Sequence, residues 1–89
     1  YSTASLLTHL KKDAEFESVA TPAVGDIILS ATGTGNGKIV GHTGFVDNDN
    51  IISNNSYTGL LETVYTLASW KERYEKTGGI KTFYFRMKG

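Results

Sequence analysis

The chain has 89 residues, which is enough for one domain with one modest hydrophobic core. Hydrophobic residues make up 39% of it, and nine basic residues balance nine acidic ones, which argues against disorder and against a basic surface for nucleic acid or anionic membranes. The absence of cysteine excludes disulfides, thiolate metal sites and a cysteine nucleophile within these residues.

The first third of the chain predicts a helix followed by a buried strand. Leucines at positions 6, 7 and 10 recur at helical spacing, so we predict a helix over residues 2–12. Residues 13–19 resemble an acidic connector, and the apolar run at 27–30 predicts a strand covered on both faces. Asp26, in the turn before that strand, is expected to accept backbone N–H bonds rather than to act as a functional carboxylate.

The glycine-rich segment at residues 31–38 does not match a phosphate-binding loop. A P-loop requires glycine five residues before Gly37, where this chain has Thr32, and Ser or Thr after Lys38, where it has Ile39. The spacing of the dinucleotide fingerprint also fails. We therefore expect a flexible surface loop beside the histidine that follows it.

The next segment predicts a hairpin with a histidine at its head. Residues 41–46 (GHTGFV) form the first strand, and a polar turn leads into a second strand that ends in amides and hydroxyls. Paired strands can hold an imidazole and a polar side chain at hydrogen-bond distance, as a catalytic base and its orienting group require. We predict His42 and Asn54 as this catalytic pair; the opposite strand register would give the role of Asn54 to Ser53 or Asn55.

The surroundings of His42 favour chemistry by the ring itself. Gly41 and Gly44 are expected to leave room beside the ring for another backbone or a ligand. The sequence offers no neighbouring cluster of His, Asp or Glu, so we expect neither a metal nor a cofactor. His9 is expected to be a solvated residue on the first helix.

The last third of the chain predicts a strand, a helix and a closing strand. Residues 60–65 form the strand, and Thr66 is expected to cap a helix over residues 67–76 in which Trp70 belongs to the core. Gly78 and Gly79 stop that helix. The closing strand alternates, with two phenylalanines on one side and a tyrosine and an arginine on the other: Phe83, Phe85, Tyr84 and Arg86.

These elements together predict an α+β domain. Strands joined mostly by short turns favour an antiparallel sheet of about four to five strands, with two packed helices. No linker or repeat interrupts residues 1–89, so we interpret them as a single domain.

Several short segments, in their order and spacing, are similar to cell-wall cysteine hydrolases. They are VGDIILS at 24–30, TGTG at 32–35, GHTGFV at 41–46, ISNNS at 52–56 with Gly59, and the Trp70 helix with the closing aromatic strand. From about Tyr1 to Arg86 the chain resembles the CHAP and NlpC/P60-like peptidases of the papain-like superfamily, especially those of phage endolysins and bacterial peptidoglycan hydrolases.

The resemblance implies the sheet half of a papain-like domain that cleaves amide bonds in peptidoglycan, outside the cell, at the wall or in association with a phage. His42 matches the family histidine and Asn54 the polar third member of a Cys–His–polar triad. The family cysteine lies upstream of the segment that matches Tyr1. We therefore expect a partial domain that supplies base and orienter and is inactive alone.

Two other readings stay open at this point. The chain could be a non-catalytic module that binds the cell wall or assists assembly, or a serine-type enzyme that uses Ser30 or Ser53. The expected partner is a peptidoglycan stem peptide, with neither nucleic acid nor a membrane span. A homodimer could form through apolar surface that the absent N-terminal part would otherwise cover.

Overall fold

A computed structural model of the protein describes residues 3–31, 41–54 and 61–88. The described chain forms one six-stranded antiparallel sheet and two α-helices, the second of which continues as a π-helical segment. In chain order these elements are α1 Thr3–Lys12, β1 Phe16–Val19, β2 Ile27–Ser30, β3 His42–Asp47, β4 Asn50–Asn54, β5 Leu61–Thr66, α2 Leu67–Lys71, the π-helical segment Glu72–Thr77 and β6 Thr82–Met87. The α+β class is confirmed, with more strands than the four to five expected.

The sheet order is β1-β6-β2-β3-β4-β5, so the closing strand β6 lies inside the sheet, between β1 and β2. β1 is the strand that the sequence did not predict, because residues 13–19 were interpreted as a connector. It has only four residues, and its two middle residues are exposed, which leaves too little alternation to recognise. Its end residues do reach the core, Phe16 on one face of the sheet and Val19 on the other.

Each face of the sheet carries its own hydrophobic cluster. The face covered by α1, called here the α1 face, buries Leu7, Leu10, Leu29, Ala31 and Phe85. The opposite face, called here the Trp70 face, buries Ile28, Val46, Ile51, Trp70, Tyr74 and Tyr84. β2 lies between the two clusters and is buried on both sides, as its apolar run predicts.

The helix over the Trp70 face begins and ends as the sequence predicts. The side chain of Thr66 accepts a hydrogen bond from the backbone of Ser69, whose own side chain accepts one from the backbone of Thr66. Gly79 adopts a φ of +64°, and the amide of Ile80 donates to the carbonyl of Tyr74 at 2.8 Å. The amide of Leu67 also donates to the carbonyl of Asp49 at 2.7 Å, which ties α2 to the β3–β4 turn.

Asp26 closes the turn before β2, as expected, and also binds β6. Its Oδ2 accepts from the amide of Ala23 at 2.7 Å. Both carboxylate oxygens accept from the guanidinium of Arg86, at 2.9 and 2.8 Å. Because Arg86 donates through two nitrogens, the pair fixes the orientation of the turn relative to β6.

None of the helices among the described residues has the length and apolar character that a membrane crossing would need.

Candidate functional site

His42 is the first residue of β3 and lies opposite Ser30 of β2. Alternation along β3 places it on the same face as Val46, which belongs to the cluster of the Trp70 face. The side chain is half-buried. His42 therefore lies at the margin of the core, where one part of a ring can be held by packing while another part meets solvent.

Two aromatic rings from the helix above the sheet stack against the imidazole. The ring centroids of His42 and Trp70 lie 5.7 Å apart with an interplanar angle of 26°. Those of His42 and Tyr74 lie 6.4 Å apart at 19°. Both separations are within the range of offset aromatic stacking. Stacking engages the faces of the imidazole, whereas its nitrogens lie in the plane of the ring.

The indole that carries this stack is itself anchored to the sheet. Trp70 is fully buried, and its Nε1–H donates to Oγ of Ser30 at 2.9 Å. Oγ of Ser30 also shares a hydrogen bond of 3.0 Å with Oγ1 of Thr82 on β6. The Trp70 side chain is thus held on β2, at the residue that pairs with His42.

Tyr65 of β5 completes the aromatic group around Trp70 and Tyr74. Its ring meets both of the others edge-on, at centroid distances of 5.7 and 5.8 Å. Burial, followed by the neighbouring Tyr65 side chain, raises the pKa of Tyr74 well above its ordinary value. Tyr74 is therefore uncharged across the physiological pH range, and its ring presents a neutral surface to His42.

The β3–β4 register decides which β4 residues share a face with His42. Gly44 pairs with Ser53 and Phe45 with Ile52, so Ser53 takes the position on the Trp70 face. Asn54 is the last residue of β4. Ser53, the alternative that goes with the opposite register, therefore lies on the face that carries His42. The orienting role of Asn54 stays a prediction, and Asn55 lies outside the described residues.

Ser53 is a buried hydroxyl on the same face as His42. Only 2% of the residue is exposed, and its Oγ has no hydrogen-bond partner among the described residues. A buried hydroxyl without a partner is costly to keep, so it marks a place where a polar group is accommodated at the expense of stability.

Gly44 does not leave the space beside His42 that the sequence analysis expected. A Cβ built on Gly44 would lie 2.7 Å from the carbonyl oxygen of Ile52 and 2.8 Å from Cγ2 of Ile51. The missing side chain thus allows β4 to approach β3 closely, and the space is filled by the neighbouring strand.

An apolar groove of about 290 Å³ opens on the other face of the sheet, beside α1. Its walls include Leu6, Ile27, Phe45 and Ile52, and Phe45 is half exposed. The groove lies on the face opposite His42, so it does not form part of the histidine site.

The remaining sequence-based candidates lie elsewhere or are buried. His9 is on α1, with its side chain 54% exposed and its Nε2 3.4 Å from Asp13, which agrees with a solvated position. The glycine-rich residues 32–38 lie outside the described residues. Ser30 is fully buried and hydrogen-bonded to two neighbours, which opposes its use as a nucleophile.

The sequence predicts His42 as a catalytic residue and Trp70 as a core residue, but no sequence pattern predicts that the two rings are in contact. One signal was present in the sequence. Ser30 ends an otherwise apolar strand, and a buried indole N–H needs an acceptor of this kind. The pairing of Trp70 with Ser30 could have been suggested on that ground, although residues 40 apart in sequence give no local pattern.

Comparison with protein-family models, curated proteins and solved structures finds no match to this chain.

Proposed function

We propose that these residues form the base-carrying half of a cysteine hydrolase that cleaves amide bonds in bacterial peptidoglycan. The observation that carries the proposal is His42: a half-buried imidazole at the head of a central strand, stacked on two anchored aromatic rings. The similarity of the GDIILS, GHTGFV and ISNNS segments to cell-wall cysteine hydrolases supplies the reaction class. The nucleophile would come from outside these 89 residues, since they contain no cysteine.

In this reaction His42 would take the proton of the cysteine thiol, and the thiolate would attack the carbonyl carbon of the amide. The imidazolium would then return the proton to the departing amine, and water would hydrolyse the thioester. The stack supports this role because aromatic faces attract a cation, so the indole and phenol rings favour the imidazolium when it forms. Asn54 would orient the imidazole, with Ser53 or Asn55 as the alternative.

The proposal is tested with a longer chain that adds the parent protein's preceding segment, including a cysteine. We expect this protein to lower the turbidity of a suspension of purified peptidoglycan. His42→Ala should abolish that activity, because the thiol loses its base. His9→Ala is the matched control, since His9 lies exposed on α1, and it should retain full activity. Full activity of the His42→Ala protein would end the proposal.

A second candidate, a non-catalytic module that binds the cell wall, is favoured by one specific observation. Of the serines in the described β-strands, the two on the His42 face are both buried, Ser30 fully and Ser53 with 2% exposed, and the chain contains no cysteine. A pull-down of the 89-residue chain on purified peptidoglycan tests this candidate. Binding that persists in the His42→Ala variant, with no lysis by the longer chain, would favour the module over the enzyme.

A further inference from the structure

We propose that Trp70 is a positioning residue for His42, and that the Ser30–Thr82 hydroxyl pair holds it in place. As a statement about a catalytic base, this rests on the proposed function. As a statement about geometry, it stands on the contacts between the rings and the hydroxyls alone.

The contacts among His42, Ser30 and Trp70 form a closed ring of three interactions, called here the circuit. His42 and Ser30 are paired across β2 and β3, which fixes their backbones relative to each other. Oγ of Ser30 accepts the indole N–H of Trp70, and the indole ring stacks back on the imidazole of His42. The position of the imidazole is therefore defined twice, once through the backbone and once through the indole.

Thr82 and Tyr74 make further contacts with the residues of the circuit. Oγ1 of Thr82, on β6, lies 3.0 Å from Oγ of Ser30 and restricts the hydroxyl that receives the indole. Tyr74 packs against Trp70 with a centroid distance of 4.6 Å and also stacks on His42. Tilting the imidazole by a partial rotation about its χ2 bond would weaken both stacks, so the plane of the ring is restricted.

Core packing alone explains why Trp70 is buried, but it does not explain why its acceptor lies on the strand partner of His42. Any buried indole N–H needs an acceptor, but here the acceptor is Ser30, the strand partner of His42, so the bond that anchors Trp70 also joins it to the histidine site. The direction of the Nε1–H bond sets the rotation of the indole. That rotation in turn sets the plane against which the imidazole lies.

The circuit can be tested by NMR on the 89-residue chain, which contains only two histidines and one tryptophan. In the unsubstituted 89-residue chain we expect the imidazole C–H signals of His42 to be displaced from those of exposed His9, because of the ring current of the indole.

Ser30→Ala removes the acceptor of the indole N–H without removing any aromatic side chain. We expect the indole N–H signal to move and the displacement of the His42 signals to shrink towards the His9 values. Ser30→Thr, which restores a hydroxyl, should recover these signals. Thr82→Val provides a milder variant that should give a smaller change of the same kind, should Ser30→Ala fail to fold.

Thr43→Val is the matched control. It removes a hydroxyl that donates to the carbonyl of Ile28 at 3.0 Å, next to His42 in sequence but on the α1 face. The His42 imidazole signals should stay at their parent values in this variant. The proposal is overturned if a folded Ser30→Ala or Thr82→Val protein leaves the His42 signals unchanged.

This result is independent of the lysis experiment. If the longer chain fails to cleave peptidoglycan while Ser30→Ala changes the His42 spectrum, the circuit stands and the hydrolase proposal falls. If lysis depends on His42 while Ser30→Ala has no spectral effect, the hydrolase stands and the positioning role of Trp70 falls.

Discussion

Asp26 is a buried carboxylate, with 2% of the residue exposed, and its interaction with Arg86 makes a pH-dependent prediction. The hydrogen bonds from Arg86, followed by that from the amide of Ala23, hold the pKa of Asp26 below its ordinary value, against the opposing effect of burial. A lowered pKa in the folded state stabilises the protein above the unfolded-state pKa. That stabilisation is lost as the pH falls through the lower, folded-state value.

We therefore expect Asp26→Asn to have a lower free energy of unfolding than the parent chain at pH 7, measured by urea denaturation. The difference should begin to shrink as the pH falls below about 4, where Asp26 of the unfolded chain becomes protonated, and should continue to shrink as the pH approaches the lower pKa of the folded state. Asp47→Asn, at an exposed carboxylate, is the control and should show little change. A difference for Asp26→Asn that is the same at pH 7 and pH 3 would contradict this assignment.

Gly44 gives a second prediction, which concerns strand packing. Gly44→Ala places a methyl group against the backbone of Ile52, which cannot move without separating β3 from β4. We expect a loss of about 1–3 kcal/mol in the free energy of unfolding, as for other overpacked sites. The measurement is the urea midpoint; an unchanged midpoint would show that β3 and β4 are not in the close contact described.

Gly25 is a useful comparison for Gly44 because its constraint differs. A Cβ at Gly25 would meet nothing within 4 Å, but its φ is +90°, which L side chains rarely adopt. Substitution by Ala at Gly25 should therefore be costly through backbone strain. Substitution by Asn, which tolerates positive φ better, should recover part of the loss at Gly25 but none at Gly44.

Helix α2 depends on the cap formed by Thr66, since its five residues before the π-helical segment are too few for a stable isolated helix. Thr66→Ala removes the acceptor for the amide of Ser69 and should cost about 1 kcal/mol. Thr8→Ala is the matched control: its hydroxyl donates to the carbonyl of Ala4 within α1, so its loss should be nearly neutral.

Thermal unfolding followed by circular dichroism is a suitable measurement for both threonine variants. A loss of about 1 kcal/mol corresponds to a decrease of about 4–8 °C in Tm for a domain of this size. Equal Tm values for Thr66→Ala and Thr8→Ala would show that the cap does not stabilise α2.

The elements that the sequence predicts correctly are those with a strong local pattern. A few neighbouring residues are enough to predict three of them: the apolar run predicts β2, the leucine spacing predicts α1, and Thr66 predicts the start of α2. β1 lacks such a pattern, and its pairing with β6 joins residues about 70 apart, which no local rule detects. The stack of Trp70 on His42 depends on tertiary packing in the same way.

The β3–β4 register is partly predictable from the sequence, because the residues of the turn indicate how the two strands pair. Asp47 pairs with Asn50, which leaves the two residues Asn48 and Asp49 as the turn, and Asn48 has a φ of +55°. Asparagine tolerates that conformation better than most residues. Counting outward from this tight turn places Ser53 opposite Gly44, which is the pairing that the structure has.

The two faces of the sheet differ in structure. The Trp70 face carries His42 with its anchored aromatic rings, and the α1 face carries the apolar groove with half-exposed Phe45. The homodimer expected from the sequence stays a prediction, and sedimentation velocity over a dilution series tests it. A single monomeric species at every concentration would exclude self-association.

The most direct test of the central claim, that His42 is the base for amide cleavage, is to measure the new end groups released from purified peptidoglycan. We predict that the longer chain with its cysteine releases free amino groups without new reducing sugar ends, and that His42→Ala releases neither while His9→Ala matches the parent. Release of reducing ends alone, or undiminished release of amino groups by the His42→Ala protein, would contradict this account.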